Sequence, residues 1–275
     1  LTVLNAYLRK CGKTFNDIYM LDLYPTYPSM KRVFDFLEDR EDFDRFHVER
    51  TYHKYYMKKI TDDCDKLLFF THNYYMNTTC KNQNLKNFSE ILNPMSKQSV
   101  DVINLAEKAQ TAEGDMYIAG AIATEREFAE AHSNVNFYWT DFVYGGPTEF
   151  TDFIAEKDAL PETKNLYRFV HADKIADALV SNEKSAGGSQ FYHIANTAEK
   201  NANELVKLDG GYKLYLSENM ISQERTEVED RQNYRLWKEP LNLFQHLSSY
   251  KVIGSNEKYP DIKLHKDEGK NQVNA

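Results

Sequence analysis

The residue types that most often carry chemistry are sparse in this sequence, and their spacing does not suit it. Cys11, Cys64 and Cys80 are an odd number with no metal-ligand spacing and no disulfide framework, the pattern of a chain kept in a reducing compartment. His47 and His53 share neither a helical face nor a ligand spacing, so no metal site is expected. A nucleophilic serine at a strand-to-helix turn would sit in Gly-x-Ser-x-Gly; Gly187-Gly-Ser189 does not match and reads as a loop. A loop that lets the backbone approach a phosphate needs clustered glycines. Here the one glycine before Gly114 is Gly12, and no Gly-x-x-Gly-x-x-Gly occurs anywhere.

The elements that would have to position any site are clearer. The chain has 275 residues, 41% of them hydrophobic and 13% aromatic, enough for a large α/β domain with a small appendage. A net charge of −8 argues against nucleic acid or anionic lipid as the main partner, and no apolar run approaches the roughly 20 residues of a membrane span. Leu4, Tyr7, Leu8 and Cys11 form one helical face closed by Gly12. Asp17–Asp22, Lys66–Phe70, Met116–Ala119, Asn136–Tyr144 and Gln190–Ala195 read as strands. Helices are expected around Val102–Ala109, Asp173–Ser181 and Ala202–Leu208, and from Ser29 through Leu37. Phe46–Tyr56 fits either state. Strands alternating with helices of this length imply crossover units and one parallel sheet, hence a doubly wound α/β fold. Tyr24–Pro28 is a loop and 73–94 an irregular, Asn-rich insertion; from Glu218 onward the chain is charged and weakly periodic. The expected organisation is one domain over 1–208 and a small C-terminal subdomain with a tail over 209–275.

Three segments carry a family resemblance. Phe169-Val-His-Ala-Asp-Lys-Ile-Ala-Asp-Ala-Leu179, Phe191-Tyr-His-Ile-Ala-Asn196 with Asn203-Glu-Leu-Val206, and Asp141-Phe-Val-Tyr-Gly-Gly-Pro147 come in the order and spacing of the C-terminal half of the extended short-chain dehydrogenase/reductase (SDR) family. The N-terminal half resembles it more loosely. Leu4–Cys11 is similar to the first crossover helix, Asp17–Asp22 to the second strand, and Asp63-Cys-Asp-Lys-Leu-Leu-Phe-Phe-Thr-His72 to the fourth. Met116–Ala121 is similar to the fifth.

The resemblance implies a Rossmann-like sheet and a nicotinamide dinucleotide site. Asp22 would hold the cofactor ribose, Thr71 and His72 would flank the nicotinamide, and Gly120 and Tyr144 would complete the cleft. It also implies Tyr-x-x-x-Lys on the helix after the fifth strand, where the lysine lowers the tyrosine pKa for proton transfer. On this reading Ala121 falls near the position of the family's serine, and Tyr138 is followed four residues later by Phe142, not lysine. The chain opens just past the place of the glycine loop. Tyr27/Lys31, Tyr55/Lys59, Tyr234/Lys238 and Tyr259/Lys263 match the spacing outside that helix. His171 and His193 lie in family-typical strands and read as structural.

The expectation drawn from these residues is a non-catalytic SDR-like scaffold without a cofactor, serving as an accessory subunit of a larger protein complex. Its partner contacts would lie in Asn73–Asn93 and Glu218–Ala275. An SDR-like accessory subunit of mitochondrial complex I is the precedent, and Leu1 in place of an initiating Met fits a removed mitochondrial transit peptide. The alternative is a divergent oxidoreductase or epimerase using NAD or NADP.

Overall fold

A computed structural model describes residues 1–21, 47–49, 64–71, 99–105, 114–146, 159–161, 166–182, 188–196, 199–201, 206–208, 211–212, 214–216, 243–255 and 262–264. Helix α1 (Thr2–Lys10) buries the apolar face read from its periodicity: Val3, Leu4, Ala6, Tyr7 and Leu8. It stops where glycine permits it. Gly12 has φ +63°, its N–H donates to the Arg9 carbonyl at 3.2 Å, and the Lys13 N–H donates to the Leu8 carbonyl at 2.8 Å. This pair of bonds satisfies the last helical carbonyls, and a side chain at Gly12 would strain the turn.

Two short strands, β1 (Tyr19–Leu21) and β2 (His47–Glu49), pair in parallel with each other. The main sheet is built from β3 (Lys66–Thr71), β4 (Ser99–Leu105), β5 (Val135–Thr140), β8 (Gln190–Asn196) and β9 (Lys251–Ser255), where β6 (Phe142–Tyr144) and β7 (Phe169–His171) form a separate parallel pair between β5 and β8 in the chain. Its spatial order is β9-β8-β5-β4-β3, and every pairing is parallel. Parallel strands require crossovers, and these cover both faces.

On one face α1 lies beside α3 (Ala172–Ser181), over Ile103, Tyr138, Tyr192 and Ile194. On the other, α2 (Gly114–Ala131) and the segment opening with α4 (Leu243–His246) cover Val100, Val102, Phe137 and Trp139. This is the doubly wound α/β architecture the sequence implies. Arg9–Asp173 and Lys10–Asp177 (2.5 Å) tie the exposed rims of α1 and α3, and such pairs add little stability.

The middle of the chain departs from the sequence reading. The periodicity of Val102–Ala109 predicts a helix, but Ser99–Leu105 is the central strand β4. Met116–Ala119 reads as a strand, but lies in α2. Val100, Val102 and Ile103 are buried on opposite faces of β4, so the strand is apolar on both sides and mimics one helical stripe. Helix α2 in turn opens on an apolar run short enough to pass for a strand.

The expected strand Asn136–Tyr144 divides after Thr140, and its second part pairs with β7. Val206–Leu208, expected to end a helix, is a strand paired with Ile262–Leu264 and Gly211–Tyr212. Strand β9 lies in the stretch read as the C-terminal subdomain and is built into the main sheet. The Ser29–Leu37 helix, the Tyr24–Pro28 loop and the insertion at 73–94 lie outside the described residues.

Candidate functional site

In a parallel sheet every strand delivers its last residue to the same edge, and ligands bind in the crevice there. That edge is formed by Thr71, Leu105, Thr140, Asn196 and Ser255. Thr71 sits opposite Asn104 in the register. Tyr144 follows β5 by four residues and ends β6, which pairs with β7 outside the main sheet. Asp22 and His72 lie outside the described residues. Gly120 is not at a strand end: it is buried inside α2, where its carbonyl accepts from Thr124 Oγ1 at 2.9 Å.

The turn after β6 brings the start of α1 to this edge. A Cβ at Gly146 would lie 2.6 Å from Thr2 Cγ2. The first turn of α1 has no acidic residue and Leu1 makes no side-chain cap, so the positive end of the helix dipole lies beside the Tyr144–Gly146 turn. A bare backbone turn against a helix N-terminus fits the phosphates of a dinucleotide.

Gly145, at φ +97°, packs on His171: a Cβ there would lie 2.7 Å from ring Cδ2 and 2.8 Å from Cε1. His171 caps α3 by accepting the Asp173 N–H at Nδ1 (3.1 Å) and meets the Tyr144 ring edge-on. Gly145→Ala should therefore cost about 2–3 kcal/mol, from the left-handed backbone and a displaced cap. Urea unfolding checks it; a loss below 0.5 kcal/mol, on the order of a neutral surface change, would mean the ring moves aside freely.

Among the described residues the helix that follows β4 is α2, so a Tyr-x-x-x-Lys pattern on it would fall in a different register from the one expected. Tyr117 lies in the first turn of α2, and Ala121, 0% exposed, stands four residues on, where the Tyr-x-x-x-Lys pattern places lysine. The sequence reading looks to Tyr138 for the tyrosine and puts Ala121 at the serine position; both follow from taking Met116–Ala119 as the fifth strand. The signal for the right register is Ile118, Ala121, Ile122, Glu125 and Phe128, a helical period running through that segment.

Glu125, one turn further along α2, is fully buried. Both its carboxylate oxygens accept from Trp139 Nε1, at 2.9 and 3.0 Å, and Oε2 accepts from the Tyr250 hydroxyl at 2.5 Å. Burial raises its pKa to about 7, while Tyr250, Trp139, Asn104 and Arg126 oppose the shift. A second buried pair lies nearby in the sheet, since His193 sits opposite Trp139. His193 Nε2 lies 2.9 Å from Asp141 Oδ1, its ring packs on Phe244, and burial raises the Asp141 pKa. Both histidines thus have structural partners. Among the described residues, no three His, Cys, Asp or Glu side chains gather as metal ligands would, and no helix is long and apolar enough to cross a membrane.

No protein-family model matches the chain, and no curated protein matches it in sequence. Solved structures do match. The dTDP-glucose 4,6-dehydratase of Bacillus anthracis in complex with NAD aligns over 96% of this chain and 83% of its own, with TM-score 0.52 and 9% identity. The enzyme WbmG of Bordetella bronchiseptica, in complex with NAD and UDP, aligns over 93% and 94% with TM-score 0.51 and 10% identity. The UDP-N-acetylglucosamine 4-epimerase of Methanobrevibacter ruminantium, in complex with UDP-N-acetylmuramic acid, aligns over 85% and 93% with TM-score 0.50 and 13% identity.

The chain has the extended SDR fold. This corrects one expectation. The reading that no cofactor belongs here is overturned, because two of these proteins of the same SDR fold are in complex with NAD.

Proposed function

We propose that this protein binds a nicotinamide dinucleotide at the C-terminal edge of its sheet and is a divergent NAD(P)-dependent oxidoreductase or epimerase of a nucleotide-linked substrate. The observation that carries the reading is Tyr117, in the first turn of the helix that leaves β4 at that edge. The NAD and UDP complexes of proteins with the same fold support it. A bound dinucleotide would supply hydride exchange. The first turn of α1 and the Tyr144–Gly146 turn would hold the phosphates. Thr71 and Tyr144 would line the cleft, with Asp22 and His72 in the roles the family resemblance gives them; Gly120, buried inside α2, would take no part.

Tyr117 would exchange the substrate proton. Position 121, where the family pattern places the lysine that assists this transfer, is alanine. Calorimetric titration of the full-length protein with NAD, NADP and UDP should give micromolar dissociation constants; no heat up to millimolar ligand refutes the proposal. Tyr117→Phe should lose about a hundredfold or more of any turnover while binding persists.

A second reading is favoured by Ala121 itself. Here the dinucleotide is a bound structural ligand, and the domain serves as an accessory subunit of a larger assembly. Partner contacts would then fall to Asn73–Asn93 and to the parts of Glu218–Ala275 outside Leu243–Ser255, which is folded onto the sheet. Binding without turnover, together with proteins that co-purify in native extract, would favour this reading over the first.

A further inference from the structure

We propose that residues 243–255 form a pH-responsive latch over the sheet, held shut through the carboxyl group of Glu125 and loosened when that group ionises. Two elements of very different mobility share this buried carboxyl. Trp139 belongs to β5, a strand paired on both sides, and its indole is fixed there. Tyr250 belongs to the segment leading into β9, which is an edge strand among the described residues; Val252 is 44% exposed and Lys251 is exposed.

Residues 243–250 are held mainly by apolar and aromatic packing, and Lys251–Ser255 by a parallel ladder to β8 on one side only among the described residues. Leu243, Leu247 and Tyr250 lie against the α2 face of the sheet. The Tyr250 ring meets Phe191 edge-on at 5.3 Å, and Phe244 stacks between His193 and the Arg168 guanidinium. Arg126 Nη2 donates to Ser249 Oγ at 2.7 Å on the exposed rim.

The groups that face Glu125 decide what ionisation does. From β4 comes the Asn104 amide, from β5 the Trp139 indole, from the latch the Tyr250 hydroxyl, and from α2 the Arg126 guanidinium. Arg126 is exposed and turned to Ser249 and to the rings of Phe191 and Tyr250, so it does not form an ion pair that neutralises the carboxylate. An ionised Glu125 is therefore buried among neutral donors, and water is its remaining source of solvation. Strands β4 and β5 cannot move aside. The edge segment can, and lifting it would bring water to the carboxylate. With Glu125 titrating at about 7 when covered and near 4.5 when uncovered, the lifted population rises up to about tenfold per pH unit across that interval.

Amide hydrogen exchange on the full-length protein, corrected for intrinsic rates, tests this directly. Protection across 243–255 should fall roughly fortyfold between pH 5 and 7 while β4 and β5 stay protected. In Glu125→Gln the segment should keep its low-pH protection at every pH. Exchange at 243–255 that tracks β4 and β5, or an unchanged pH response in the Glu125→Gln variant, overturns the latch. Tyr250→Phe provides a second reading should the glutamine variant misfold. It removes a donor that favours the ionised form, so the pH of release should move upward, and a midpoint that stays put also overturns the proposal.

Discussion

Replacing Asp101 with alanine should cost the fold about 3–5 kcal/mol, read by urea unfolding near pH 7. Asp101 sits at the middle of the sheet with its side chain 1% exposed, on the face covered by α1 and α3. Its Oδ2 is 2.8 Å from Lys66 Nζ, and its Oδ1 accepts from Asn136 Nδ2 at 3.0 Å. The lysine extends the network: its ammonium also donates to the Leu179 carbonyl near the end of α3 and lies 5.2 Å from the centre of the Tyr7 ring. One carboxylate thus joins β3, β4, β5, α3 and α1. Removing it takes the opposite charge from a cation 15% exposed and one acceptor from a buried amide.

Lys66→Ala should be at least as damaging, because the carboxylate it strands is the more deeply buried of the two. The double variant should lose less than the two single losses combined, since each single change leaves a buried charge without its opposite charge. A loss below 1 kcal/mol for Asp101→Ala, the range of an exposed pair, would mean that water reaches the pair and that the network is not structural.

The same residue explains why part of the fold is not legible from the sequence. Elements whose signals are local read correctly. Helix α1 has a one-sided apolar stripe and a glycine stop, α3 follows a helix N-cap, and β8 is a run of apolar and aromatic residues. Strand β4 is different. Asp101 and Asn104 interrupt its apolar run, Asp101 because it serves a buried pairing, and a buried polar residue cannot be told from a solvent-facing one without its partners. The apolar residues that remain, Val102 and Leu105 onward, match a helical period equally well.

That one error moves the register of the proposed site. It puts a strand at Met116–Ala119, makes Gly120 a strand-end glycine, and passes over Tyr117. Glu125 escapes notice for the same reason as Asp101: a glutamate on a helix reads as solvated until Trp139 and Tyr250, from distant parts of the chain, close over it. Strand β9 is short, lies at the edge of the sheet among the described residues and falls within the stretch read as weakly periodic, so its place depends on β8 rather than on its own pattern.

Between pH 4.5 and 7 the folded state should lose about 3 kcal/mol of stability through Glu125 alone, and Glu125→Gln should remove that loss. The sign follows from where the proton is held. Unfolded, the carboxyl has its ordinary pKa near 4.5; folded, burial raises it to about 7. Below 4.5 both states are protonated and the full stability is present. Above that, the unfolded chain gives up its proton and gains solvation, whereas the folded chain keeps the carboxyl neutral until pH rises through 7. Beyond 7 both are ionised and the loss is complete.

Asp141, whose pKa burial also raises, contributes with the same sign from the acid end, so the wild-type slope mixes two groups. The difference between wild type and Glu125→Gln isolates one of them. The glutamine oxygen can still accept from Trp139 and Tyr250, and its amide carries no charge to desolvate. Chemical unfolding at half-unit steps from pH 4 to 8 should give two curves that coincide at acid pH and separate above 4.5, with the variant the more stable at pH 8. Parallel curves would mean that water or a rearranged Arg126 already solvates the carboxylate, and that Glu125 is ionised in the closed fold.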